Sequence, residues 1–389
     1  MNTDPATTRA PGNAAPYRHL HRLAWLAVAL ALGVIVFGAF VRLSNAGLSC
    51  PDWPTCYGRA AWPTAASDAA DHAATAIRAV EPHKAWREQL HRHLAAVLGV
   101  LVLVLALLAA RRRRLGVAQV ATAALLIALS IPLYMRGEHA AAIATAAAGE
   151  IVLLLAALRW NNVDLARAGA LTLMVIVLQA LLGMWTVTWL LKPVVVMAHL
   201  LGGMLTLSLL VWIAWRATNV PIRLADASGV RRWLMAGLLV LGVQIALGGW
   251  TSANYAALAC GTDFPTCNRQ WWPPTDFRDA FVLWRGLGID YEGGVLSGAA
   301  LVAVQLAHRA MAAVVFVVLL ALASRLLRTP GMRSWATLLG VLTLAQVALG
   351  IANVKLSLPL WTAVLHNAGA ALLLLVLVSL LARLREPEA

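Results

Sequence analysis

Ten apolar runs recur along the chain, near residues 23–41, 90–110, 115–133, 140–158, 168–190, 194–215, 232–251, 300–323, 335–354 and 360–383. Each is long enough to cross a bilayer as a helix, since roughly 20 residues at a 1.5 Å rise span the hydrocarbon core. A hydrophobic fraction of 61% with only 12% charged residues lies outside the range of soluble domains. The expectation is an all-α polytopic membrane protein of about ten spans.

The net charge of +14 does not point to nucleic acid, because the basic residues gather in short loops beside the spans. Arg18 and Arg22, the run Arg111 to Arg114, Arg159, Arg167, Arg216 to Arg232, Arg325 to Arg333, Arg383 and Arg385 share one side if the spans alternate. Both termini are then cytoplasmic. The two long loops, 42–89 and 252–299, fall on the other side with all four cysteines. The first apolar run exceeds a signal-peptide core and lacks a cleavage site, so it reads as a retained helix, in a bacterial cytoplasmic (inner) membrane rather than a mitochondrial one.

The chain is also internally duplicated. Gln179, Leu182, Gly183, His199 and Gly202 recur as Gln346, Leu349, Gly350, His366 and Gly369 at identical offsets, and His91-Arg92 matches His308-Arg309. His91 and His199 are 108 residues apart, whereas His308 and His366 are 58 apart. An extra helical hairpin over 115–158 accounts for most of that excess and, being two spans, leaves the later topology unchanged. The expected organisation is a disordered cytoplasmic tail (1–22), a four-helix half with the inserted hairpin (23–216), a cytoplasmic linker (217–231), a second four-helix half (232–383) and a short cytoplasmic tail (384–389). Because four helices return the chain to its starting side, the two bundles repeat in parallel.

Four-helix bundles hold cofactors between inward-pointing side chains. Each half offers two histidines at a common depth, suited to the axial positions of a haem iron in an apolar interior. Zinc fits poorly, since no compact set of cysteine and histidine ligands is present. Glu88 lies three residues before His91 and can share its helix face, whereas the matching residue before His308 is Gln305, which cannot exchange a proton. This asymmetry suggests one haem held as cofactor and another sitting as substrate beside an acid or base. Glu150, in the hairpin, is an intramembrane carboxyl outside the duplicated core.

Cys50 with Cys56 and Cys260 with Cys267 lie in turn-rich loops facing an oxidising compartment, so a disulfide within each loop is reasonable. A structural staple and a redox-active pair both remain open. Arg92, Arg309, Arg42 and Lys355 sit near that face, where they could meet haem propionates or simply snorkel.

These residues resemble the haem A synthase family. The matching segments are Arg42-Leu43-Ser44, Gly47 through Pro54, Glu88 through Arg92, Gly183-Met184-Trp185-Thr186-Val187, His199-Leu200, Gly248-Gly249-Trp250, Asp263 through Cys267, His308-Arg309 and His366-Asn367. They cover nearly the whole chain except 1–22 and 115–158, and the hairpin departs from the family's usual eight-span plan. The resemblance implies that His308 and His366 hold haem B, that His91 and His199 hold haem O or haem A, and that Glu88 is the required acidic residue. It implies oxidation of the porphyrin C8 methyl to a formyl group through successive hydroxylations with oxygen from water, for use in cytochrome oxidase. Haem O synthase, an electron acceptor the sequence does not identify and the lipid bilayer are the implied partners; a homo-oligomer stays open. The competing readings are a bis-histidine membrane cytochrome linked to quinone and a haem transporter built on a repeat.

Overall fold

In the computed structural model, residues 20–161 and 165–387 are described, so most of the expected disordered tail lies outside the described residues. The ten expected spans are all helices: α1 (Leu20–Leu43), α2 (Pro82–Ala110), α3 (Gly116–Met135), α4 (His139–Arg159), α5 (Ala166–Thr188), α6 (Pro193–Thr218), α7 (Ala227–Ala253), α9 (Gly298–Leu327), α10 (Arg333–Lys355) and α11 (Leu360–Arg383). Two short helical turns interrupt the second long loop, a 3-10 turn (Ala256–Leu258) and α8 (Phe277–Ala280). Ten helices are long and apolar enough to cross a membrane. Large side chains such as Leu125, Ile143, Leu239 and Val317 stand fully outward. In water so much exposed apolar surface would drive aggregation, whereas lipid-facing helices need it. The chain is a multi-pass membrane protein.

Local chemistry explains the helix ends. Pro82 and Pro193 occupy first-turn positions where their missing N–H costs nothing. Asp226 caps α7 by accepting from Gly229 N at 3.0 Å, and Ser297 caps α9 by accepting from Ala300 N at 3.3 Å. The largest departure from the sequence reading is α2, which begins eight residues ahead of its apolar run. Its first turns are polar because they pack against the first long loop, where Gln89 Nε2 donates to Ala60 O at 2.8 Å. A hydrophobicity pattern sees only the lipid-exposed part of such a helix.

Helices α1, α2, α5 and α6 surround one another in one bundle, and α7, α9, α10 and α11 in another. The bundles meet along α6, α7, α1 and α11, and one apolar core runs through both, including Leu207, Leu210, Val211, Leu319, Leu322, Leu339 and Leu377. The hairpin α3–α4 packs chiefly on itself and docks on α2 and α5. Gly149 permits its close crossing, since a Cβ there would lie 2.9 Å from Ala123 O.

At the end opposite the cysteine loops, Ile222-Arg223 (β1) pairs in parallel with Leu384-Arg385 (β2). The stretches read from sequence as linker and tail are thus joined. Trp25 Nε1 donates to Thr218 Oγ1 at 3.3 Å, bringing the start of α1 to the same end.

Candidate functional site

Each of the four histidines faces a glycine on a neighbouring helix. A Cβ built on Gly38 (α1) would lie 2.7 Å from His91 Cε1; on Gly183 (α5), 3.4 Å from His199 Cε1; on Gly248 (α7), 3.3 Å from His308 Cε1; on Gly350 (α10), 3.1 Å from His366 Cε1. Any side chain there would press on an imidazole, so the glycines keep space at the rings. A second pairing backs two of them: Gly202 and Gly369, one turn beyond His199 and His366, leave room for the amides of Gln179 and Gln346. Gln346 Nε2 donates to His366 O at 3.0 Å, and Gln244 Nε2 lies 3.2 Å from His308 Nδ1.

Within each half the two histidines lie on helices of the same bundle, His91 and His199 on α2 and α6, His308 and His366 on α9 and α11. The Nδ1 atoms of His91, His199 and His366 are buried and have no hydrogen-bond partner among the described residues. Uncharged imidazoles buried in an apolar interior, with ring nitrogens that no protein group occupies, have the donor chemistry of iron ligands, so these residues fit a haem. Glu150 also has a buried oxygen without a partner, but it lies in the hairpin, apart from this set.

Glu88 is 5% exposed and tightly held. Its Oε1 accepts from Arg92 at 2.6 Å, and its Oε2 accepts from Cys50 N at 2.8 Å and from the Ser49 hydroxyl at 3.1 Å. The carboxylate therefore fastens the first cysteine loop to α2, a contact that spacing alone did not reveal. Arg92 completes the clamp by donating to Asp52 O and Thr55 O at 2.8 Å and to Cys50 O at 2.6 Å. In the second half Arg309 donates to Thr266 O at 3.0 Å and Asp263 O at 2.9 Å. Gln305, at Glu88's place, is buried with its Oε1 unpartnered. Both arginines, expected near cofactor carboxylates, thus spend these donors on the loops. Arg42 bonds Tyr255 Oη at 3.1 Å and Ser252 O at 2.7 Å, bridging α1 to the end of α7, whereas Lys355 is exposed.

Disulfides close both loops, Cys50–Cys56 and Cys260–Cys267. A cis proline peptide precedes the second cysteine in each, at Trp53-Pro54 and Phe264-Pro265. Asp52 organises the first loop, accepting from Tyr57 N at 2.6 Å and from Gly58 N and Thr55 Oγ1 at 2.8 and 2.6 Å. Burial pushes its carboxyl up, but these hydrogen bonds more than offset that and hold it below the usual carboxylate range. Trp53 packs edge-on against Tyr134 at the turn of the inserted hairpin, 5.8 Å between centroids.

The second loop also reaches the first half. Lys192, between α5 and α6, is 1% exposed; its Nζ donates to Arg285 O at 2.6 Å and sits 3.4 Å from the Trp284 ring centroid. Tyr291 N donates to Leu190 O at 3.1 Å, and Arg78 pairs with Asp290 and Glu292 at 3.1 and 2.7 Å. Sequence reasoning missed this latch, because lysine beside a span reads as snorkelling.

Residues 21–132 and 140–378 match the family model COX15-CtaA, cytochrome oxidase assembly protein. The chain is 38% identical over 366 residues to "Heme A synthase" of Shewanella oneidensis, covering 92% of this chain and 96% of that one. It is 33% identical over 224 residues to "Heme A synthase" of Caulobacter vibrioides, covering 54% and 60% respectively, and 34% identical over 194 residues to that of Methylobacterium radiotolerans, covering 49% and 50%. With this extent of similarity over the duplicated, histidine-bearing core, the chain belongs to the COX15-CtaA family, that of the haem A synthases.

Proposed function

We propose that the protein oxidises the C8 methyl of haem O to a formyl group, producing haem A in a bacterial cytoplasmic membrane. The observation that supports this best is the matched set of four glycine-faced imidazoles, two per bundle, with a carboxylate on the first pair's helix and a glutamine on the second's. His91 and His199 would hold the porphyrin substrate by its iron; His308 and His366 would hold haem B. When bound, haem B supplies a one-electron carrier.

The reaction takes one water and releases four protons and four electrons: the methyl and water give hydroxymethyl with loss of two of each, and a second two-electron oxidation gives the formyl group. The electrons pass to an acceptor outside the chain. Losing electrons from a ring methyl develops positive charge, which a nearby carboxylate stabilises, and Glu88 accepts a released proton at an oxygen. Two carboxylate oxygens have about four acceptor positions, so the three donors on Glu88 leave room for this. The helices exclude bulk water, and the cysteine loop held by Glu88 covers the site. In this reading the termini are cytoplasmic, the cysteine loops periplasmic, and haem O synthase is the supplier of substrate.

The test is coexpression with a haem O source in cells lacking their own activity, followed by acid extraction and chromatography with mass detection. Hydroxymethyl and formyl products that vanish in Glu88→Gln, with haem still bound, are expected. Unchanged haem O beside bound haem B would overturn the reading in favour of an electron-transfer cytochrome.

A further inference from the structure

One cation close to the first histidine pair, Arg87, has no anion among the described residues. Arg87 lies four residues before His91, so α2 presents both on one face a single turn apart. Its guanidinium carbon stands 5.3 Å from the Phe40 centroid and 5.7 Å from the Trp86 centroid. Phe37 joins this cluster to the histidine, with its centroid 6.4 Å from Trp86, 5.7 Å from Phe40 and 6.5 Å from His91. Arg87 Nε is buried and has no hydrogen-bond partner, and no acidic residue among the described residues pairs with the side chain.

Its neighbours cannot supply the missing charge. Glu88, the adjacent carboxylate, is held by Arg92, Cys50 and Ser49. Arg92 is the opposite case, with three carbonyls and a carboxylate around it. A guanidinium half removed from water and framed by aromatic rings retains its charge at a cost until an anion meets it. Four residues before His308 the second half has Val304, fully buried and uncharged.

We propose that Arg87 binds a carboxylate of the tetrapyrrole held by His91 and His199, and so makes the first half selective for a ligand with free propionates. The inference rests on the reading of those two histidines as axial ligands. Arg87 is a binding residue here, suited to bidentate contact with a carboxylate.

The experiment is a titration of the purified, detergent-solubilised protein with ferric haem B as the free diacid and as its dimethyl ester. The readout is the part of the low-spin haem absorbance that disappears in His91→Ala. The wild type is expected to favour the diacid by about tenfold or more, and Arg87→Met to bring the two probes within about twofold. Arg87→Lys should keep part of the preference, and an unchanged haem signal from the second half reports that each variant is folded. An unchanged preference in Arg87→Met, with the His91-dependent signal intact, overturns the proposal and leaves the histidine reading standing. Absence of any His91-dependent signal in the wild type overturns both.

Discussion

The first cysteine loop is fastened to its histidine helix through a buried carboxylate as well as carbonyl oxygens, and the second, in its side-chain hydrogen bonds among the described residues, through carbonyl oxygens. Arg92 and Arg309 do the same task in the two halves, reaching back from just after a histidine to the loop that precedes the helix. Only in the first half does the position three before the histidine join in, with Glu88 between Arg92 and Cys50 N. The difference teaches that the carboxylate three residues before the first half's histidine is also a structural tie. A change at Glu88 therefore acts on the anchor of the first loop, while the second half holds its loop with no carboxylate at the matching position.

The sharpest way to break this comparison is to truncate both positions. Glu88→Ala takes the carboxylate from Arg92, which keeps its three carbonyl acceptors, and leaves Cys50 N without its acceptor, which costs about 3 kcal/mol, whereas Gln305→Ala, removing a side chain whose Oε1 is already unpartnered, should cost well under half as much. Thermal unfolding in detergent and the rate at which reductant opens Cys50–Cys56 report both. Equal losses would dissolve the asymmetry.

Next come the glycines. Gly38→Ala sets a methyl 2.7 Å from His91 Cε1, against 3.3 Å for Gly248→Ala and His308. The first must displace the ring, at about 1–3 kcal/mol, and the second needs only a few tenths of an ångström of give. Haem retained per protein after gel filtration should fall distinctly further for Gly38→Ala.

A smaller effect separates the arginines. Lysine cannot reproduce a forked guanidinium, so Arg92→Lys should destabilise its loop by about 2 kcal/mol and Arg309→Lys by about 1 kcal/mol, as read by proteolysis of each loop. The smallest concerns pH. The hydrogen bonds to Asp52 stabilise the first loop fully above the ordinary carboxylate value of about 4, and this contribution fades as pH falls through the lowered folded value. Limited proteolysis should therefore release the first loop of the wild type more readily in acid than at neutral pH, whereas Asp52→Asn should show no such difference between the two.

Much of this was legible in the chain. Apolar runs located the ten helices, because lipid imposes the same requirement on every residue of a span. The offsets that relate Gly183 and Gly350 tied those glycines to the histidines that follow them, whereas Gly38 passed unnoticed and Gly248 stood out only within Gly248-Gly249-Trp250, not as a histidine's neighbour. Glu88 was singled out by its spacing, but its bonds to Ser49 and Cys50 depend on how a loop folds back over a helix, which no periodicity encodes. Arg87 was hidden for a related reason: its place among Phe37, Phe40 and Trp86 depends on how α1 packs against α2, which the sequence does not display. The first turns of α2 were missed because packing under a loop replaced the hydrophobic signal.

The buried Lys192 places an order on assembly. Its carbonyl acceptor is 93 residues downstream, which at ribosomal speeds of 5–20 residues per second is about 5–20 s of synthesis. Until then the Lys192 ammonium between α5 and α6 has only water for a partner, and the first half lacks the second loop's contacts. Resemblance between the halves therefore does not make them interchangeable: a chain built from two copies of the first half would leave that lysine without acceptors, and only the second loop can finish the first bundle.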